Sequence, residues 1–174
     1  MSTNSLKFQV LEWLFEKYLR QPGEYHNIND FLVDKGITSE SSKMSFAYAL
    51  KAAGLLKDAS SCNNKGDFMA CISVNGIDFV STTIKNETRQ LIRKAIDQDS
   101  NDYVLLNDKL DLLPGNTTYA KDMSKYLKEN GLASIQIKED KFYYKITELA
   151  ELIFNSKPGM WKDQDNNLKE QFGS

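Results

Sequence analysis

ALKAAGLLKD, residues 49–58, and KYLKENGLAS, residues 125–134, make the same step twice in one chain of 174 residues. Leu50-Lys51-x-x-Gly54-Leu55 matches Leu127-Lys128-x-x-Gly131-Leu132. A leucine on a helix, then a glycine followed by leucine, marks a helix that stops. Glycine takes the left-handed conformation just past the last turn without a Cβ penalty. The same stop at two places predicts the same element twice.

The match extends on both sides. Tyr25 to Leu32 aligns with Tyr103 to Leu110 through Asn29-Asp30 and Asn107-Asp108, at an offset of 78 residues, against 77 at the Gly-Leu step. Downstream, Ile72 to Val80 resembles Tyr144 to Leu152 at an offset of 72, which predicts an intervening loop five residues shorter in the second copy. Length changes in loops between matched elements are what a duplicated fold tolerates.

Each copy reads in the same order. Leu6, Val10, Leu11, Leu14, Phe15, Tyr18 and Leu19 recur at helical spacing, and Pro22-Gly23 ends that helix. Its counterpart carries Leu91, Ile92, Ala95 and Ile96 after Asn86-Glu87-Thr88. A short extended piece follows, Tyr25–Ile28 or Tyr103–Leu105. A second helix then opens at Asn29-Asp30 or Asn107-Asp108, and ends at Gly36 or at Pro114-Gly115. A third helix is capped by Thr38 or Ser39, and by Asn116 or Thr117, and ends at Gly54 or Gly131. A hairpin closes each copy, 56–62 with 67–74 and 133–138 with 141–147, before another helix.

Helix, short strand, two helices and a hairpin form the order of the winged helix-turn-helix, and the chain resembles bacterial and phage winged-helix regulators over residues 6–156. The fold class expected is α+β, mainly helical, with two tandem modules at 1–84 and 85–157 and a C-terminal tail at 158–174. The resemblance implies binding of double-stranded DNA, with the third helix in the major groove and the wing on the backbone. Transcription regulation is the role that goes with it. Two modules in one chain mimic a dimer, or the chain forms a homodimer in addition.

Helical periodicity of about 100° per residue separates the faces of the third helices. In the first, Phe46, Ala49, Leu50 and Ala53 form the expected core side, opposite Ser41, Met44, Ser45, Tyr48, Lys51 and Ala52. In the second, Tyr119, Met123, Tyr126 and Leu127 are core, opposite Thr118, Lys121, Asp122, Lys125, Lys128 and Glu129. Phosphate contact calls for lysine or arginine, helped by hydroxyls and helix N-termini. The candidate DNA-binding residues are therefore Thr117, Thr118, Lys121, Lys125 and Lys128, with Lys138 and Lys141 on the second wing. Ser41 and Lys51 on the first copy, with Lys65 at its wing tip, complete the set. Neither exposed face holds arginine, the commonest reader of guanine, so base-specific readout by these helices is expected to be weak. Solvated lysines are the plain alternative for the second face. Met44 and Tyr48 read instead as packing against the other module or a second subunit, with Trp13 as a boundary or interface residue and Trp161 docking on another subunit.

Composition narrows the rest. The chain is 41% hydrophobic and 26% charged, as ordinary globular domains are, with a net charge of −2. That charge lacks the overall basicity of many nucleic-acid binders, and favours the alternative of a protein-interaction adaptor without DNA binding. No apolar run approaches the length of a membrane span, and the N-terminal residues have no signal-like stretch, so a cytoplasmic, membrane-free protein is expected. Cys62, Cys71 and the single histidine, His26, make a poor metal site, and no cofactor is expected. The cysteines are not expected to pair. His26 lies on the short strand as a structural residue. No glycine-rich phosphate loop or nucleophile–histidine pattern is present, so the reading is not an enzyme.

Overall fold

The computed structural model of the chain describes residues 5–61, 68–98 and 102–156. Lys65, Cys62 and Trp161, together with the tail, fall outside them. The described residues form an α+β protein of seven helices and two three-stranded antiparallel sheets. The chain divides into two compact units, Met1–Val80 and Ser81–Ser174.

In unit 1, α1 (Leu6–Arg20) precedes β1 (His26–Asn27), α2 (Ile28–Asp34), α3 (Glu40–Ala52), the hairpin β2 (Leu56–Ser61) and β3 (Phe68–Ile72), and α4 (Val74–Val80). Unit 2 runs α5 (Thr83–Asp97), β4 (Val104–Leu105), α6 (Thr117–Glu129), β5 (Ala133–Lys138), β6 (Lys141–Ile146) and α7 (Glu148–Ser156). The sheets have matching orders, β1-β3-β2 and β4-β6-β5.

The repeat is physical. Helices α1 and α5 have 15 residues each and start 77 apart. Val10, Leu11, Leu14 and Tyr18 are buried on the first, and Glu87, Thr88, Leu91 and Ala95 at the equivalent places on the second. Helices α3 and α6 have 13 residues each, capped by Ser39 and Asn116. Both end on a left-handed glycine, Gly54 at φ 76° and Gly131 at φ 68°. There the amides of Leu55 and Leu132 reach back to the carbonyls of Leu50 and Leu127. This satisfies carbonyls that the helix end would otherwise leave bare.

The next link corrects the sequence alignment. The Ser73 hydroxyl donates to the Gly54 carbonyl at 2.7 Å and accepts from Gly76 N. The Thr147 hydroxyl donates to the Gly131 carbonyl at 2.7 Å and accepts from Ala150 N. Ser73 therefore corresponds to Thr147, an offset of 74 and not 72, and the connection is three residues shorter instead of five. The apolar pattern misled because it set Leu149 and Leu152 against core positions. Both are exposed, at 52% and 64%.

The largest departure lies between β4 and α6. The helix expected to open at Asn107-Asp108 does not form, and residues 106–115 are turns and bends. Their burial still follows unit 1, with Leu106 and Leu110 buried where Ile28 and Leu32 are. What replaces the helical hydrogen bonds is Glu87. It is only 4% exposed and stands where unit 1 has Val10. Its carboxylate accepts from the amides of Asp111 and Leu112 at 3.0–3.1 Å and from the Tyr119 hydroxyl at 3.2 Å. Lys94 fastens the same loop through the Lys109 carbonyl and Asp111.

Smaller corrections follow from caps and packing. Asn27, not Asn29-Asp30, caps α2. Its side chain accepts from Asn29 N and also from Phe68 N on β3, so one residue serves helix and sheet. Helix α5 begins at Thr83, so Glu87 and Thr88 lie within it. On α3 the buried positions are Lys43, Ala47 and Leu50, whereas Ala49 and Ala53 are exposed and Phe46 is half-buried. The core face is rotated from the expected one because Lys43, 7% exposed, buries its aliphatic stem.

Candidate nucleic-acid interface

Helix α6 is held by its apolar face. Tyr119, Ala120, Met123, Ser124, Tyr126 and Leu127 are buried. The Asn116 side chain accepts from Tyr119 N at 2.9 Å, and the Tyr119 ring enters unit 2 to meet Glu87. Burial and the neighbouring Glu87 carboxylate push the Tyr119 hydroxyl far above the ordinary tyrosine range. It therefore stays a donor to Glu87 at neutral pH.

The other side of α6 carries Lys121, Lys125 and Lys128, all exposed. Spaced by four and three residues, they lie on neighbouring turns along about 10 Å of helix. Thr117 is exposed and Thr118 half-buried in the first turn. Of the carboxylates on this helix, Glu129 lies 4.0 Å from Lys125 with both side chains well exposed, a pairing worth little in water. Asp122 is half-buried.

Lys138 and Lys141 face each other across the end of β5–β6, joined by the two-residue turn Glu139-Asp140. Both turn residues have positive φ, 51° and 64°, as a tight hairpin twisted to match its strands requires. Lys138 also lies 5.9 Å from the Tyr143 ring centroid. Tyr143 and Lys145, on the same side of this hairpin, were not singled out in the sequence. Strand alternation in 141–146 was the signal that marks them.

Unit 1 presents a different surface. On α3, Ser41, Tyr48 and Lys51 are exposed and Met44 is half-buried. Tyr48 is 47% exposed and rests edge-on against Phe68, ring centroids 5.4 Å apart. Trp13, expected at an interface, is half-buried against its own unit. It packs on Phe31 at 5.3 Å and on His26 at 6.4 Å, with Lys17 over its ring. The Nε2 atom of His26 is buried with no hydrogen-bond partner among the described residues. Burial and nearby Lys17 lower its pKa, outweighing the opposite pull of Glu24.

A cleft of about 250 Å³ opens beside Glu87, lined by Thr83, Asn86, Glu87, Gln90, Asp111 and Leu112. The Glu87 oxygens facing this region are engaged by protein donors, which gives the carboxylate a structural role. Cys71 is buried, its thiol donating to the Ile72 carbonyl at 3.6 Å. Among the described residues no three His, Cys, Asp or Glu side chains gather as metal ligands, and no helix is long and apolar enough to cross a membrane.

Fold and surface together define a class: a two-unit α+β protein, each unit ending in a hairpin and a helix, with a lysine-bearing helix in the second. No protein-family model, curated protein or solved structure matches the chain.

Proposed function

We propose that this chain is a DNA-binding protein built from two winged helix-turn-helix modules, a small transcriptional regulator that grips duplex DNA through α6 and the β5–β6 wing. One observation carries the reading: Lys121, Lys125 and Lys128 are exposed on the side of α6 opposite the buried Tyr119, Met123 and Leu127. A helix anchored on one side and cationic on the other suits a phosphate-lined groove. Lys138 and Lys141 supply backbone contacts at the wing, with Thr117 and Thr118 at the start of the helix. The absence of arginine from this helix makes the contact one of phosphates more than of bases.

The test is a mobility shift of random-sequence duplex at low and rising salt. Steep weakening with salt is the expected result, because lysines meeting phosphates release counterions. Failure to shift at any salt would sink the proposal.

A second reading, a protein-interaction adaptor, draws support from α3, where Tyr48 is 47% exposed beside Met44 and only Lys51 adds positive charge at the face. The two readings are compatible if unit 1 contacts a protein or second subunit while unit 2 contacts DNA. Tyr48→Asp would then alter assembly on size exclusion and leave duplex binding intact.

A further inference from the structure

The second sheet has an outer face of which the duplex reading uses only Lys138 and Lys141, at the turn end. Strand register places Ser134 opposite Lys145, Gln136 opposite Tyr143, and Lys138 opposite Lys141. On the other side of β6, Leu105 of β4 pairs with Tyr143. Side chains directly opposite in register share a face. Phe142 and Tyr144, the alternating neighbours on β6, are buried against unit 2, which puts the Tyr143 row outside.

That outer face reads as a pattern. Tyr143, half-buried, stands at the centre of three strands, with Leu105 and Gln136 beside it. Lys141 and Lys138 lie on one side of it along the strands, and Lys145 on the other. Lys141 and Lys145 are separated by about 13 Å of strand. No carboxylate occupies the outward positions of β5 or β6, since Glu139 and Asp140 are confined to the turn. Among the described residues, unit 1 lacks the arrangement. By the offset of 74, Met69 takes the place of Tyr143, and buried Cys71 the place of Lys145.

We propose that this face is a platform for single-stranded nucleic acid, on which a base stacks against Tyr143 while Lys138, Lys141 and Lys145 hold the flanking phosphates. An aromatic ring on an open sheet meets any base through its π-face, which a base inside a duplex does not offer. Lys138, already beside the ring, exchanges that contact for a phosphate as the base arrives. Gln136 and Ser134 donate and accept at the edge of the stacked base. The chemistry reads base faces and phosphates and leaves the sugar aside, so DNA and RNA strands bind alike. The proposal stands apart from the assignment of α6 to duplex DNA.

The experiment measures fluorescence anisotropy of labelled oligothymidylate and oligouridylate with the full chain at low salt. Both are expected to bind, within about tenfold of each other. Tyr143→Ala weakens both by about tenfold, the loss of one stacked base. Tyr143→Phe keeps the ring and the affinity. Lys145→Glu weakens both without touching the ring, and serves if Tyr143→Ala does not fold. Lys121→Glu with Lys125→Glu weakens oligonucleotide binding less than Lys145→Glu does, which separates this face from α6. Three results would overturn the proposal: no binding of either strand, wild-type affinity in folded Tyr143→Ala or Lys145→Glu, or a greater loss of oligonucleotide binding in the α6 variant than in Lys145→Glu.

Discussion

The Tyr119 hydroxyl donates to Glu87 Oε1 across 3.2 Å, tying the first turn of α6 to the early turns of α5. The same carboxylate takes two backbone amides of the loop that replaces a helix. One acidic side chain thus sets both the path of 106–115 and the seat of the lysine-bearing helix.

Replacing Glu87 by valine, the residue at its unit 1 equivalent, would strand those donors. A buried donor without an acceptor costs about 1–3 kcal/mol. The Tyr119 hydroxyl is the buried donor of the three and the amides are part-buried, so Glu87→Val is expected to destabilise unit 2 by about 1–3 kcal/mol. Glu87→Gln keeps one acceptor oxygen and costs less. Hydrogen exchange at the Asp111 and Leu112 amides, followed with denaturant, reads the effect in unit 2 alone. Unchanged protection in Glu87→Val would remove Glu87 from this role.

Alkaline pH tests the same contact. The pKa values of Tyr119 and Tyr144 are raised, by burial first and for Tyr119 also by Glu87. Above about pH 10 the unfolded chain gives up these protons and the folded chain keeps them. Their stabilisation is thus complete below that pH and is lost as pH rises beyond it. Ultraviolet titration of tyrosinate should show Tyr119 and Tyr144 ionising only as unit 2 unfolds. Reversible ionisation of Tyr119 and Tyr144 with unit 2 still folded would contradict the buried placement.

His26 has the opposite sign. Its folded pKa is lowered, so the unfolded chain takes up a proton first as pH falls. Its contribution to stability is present above about pH 6.5 and declines below it. As the single histidine of the chain, it gives an unambiguous NMR titration. A midpoint below 6.5 is expected. His26→Asn would flatten the acid side of the unit 1 stability profile, and an unchanged profile would count against the assignment.

On the duplex reading, Lys121→Glu with Lys125→Glu should reduce the slope of log affinity against log salt by about two, one for each lysine withdrawn from a phosphate. Lys51→Glu, on α3, should change it less. Equal or reversed effects would take α6 out of its proposed place.

Much of the architecture was legible because its signals are local. Ser39 and Asn116 announce two helix starts, and Gly54 and Gly131 two left-handed stops, since capping and positive φ depend on a few adjacent residues. The cationic side of α6 was equally readable, because Tyr119, Met123, Tyr126 and Leu127 keep a clean helical period. On α3 the period is blurred. Alanines at 47, 49, 52 and 53 fit either side, and a buried Lys43 runs against hydropathy, so the core face turned out rotated.

What the sequence by itself determined was therefore the duplicated order of elements except the second helix of the later copy, the caps and stops of α3 and α6, and the charge on one helix face. Tertiary structure decided three things that no local pattern encodes. The Ser73 and Thr147 hydroxyls, each bridging a helix end to the start of the next helix, set the alignment of the two copies at 74. Glu87 unwound the helix expected at 107–115, because a buried carboxylate needs donors and the amides of Asp111 and Leu112 supply them. Pairing between β5 and β6 gathered Lys138, Lys141, Tyr143 and Lys145 on one face. Hydrogen bonds between residues distant in the chain carry each of these, and their energies depend on which partner arrives, not on the residue alone.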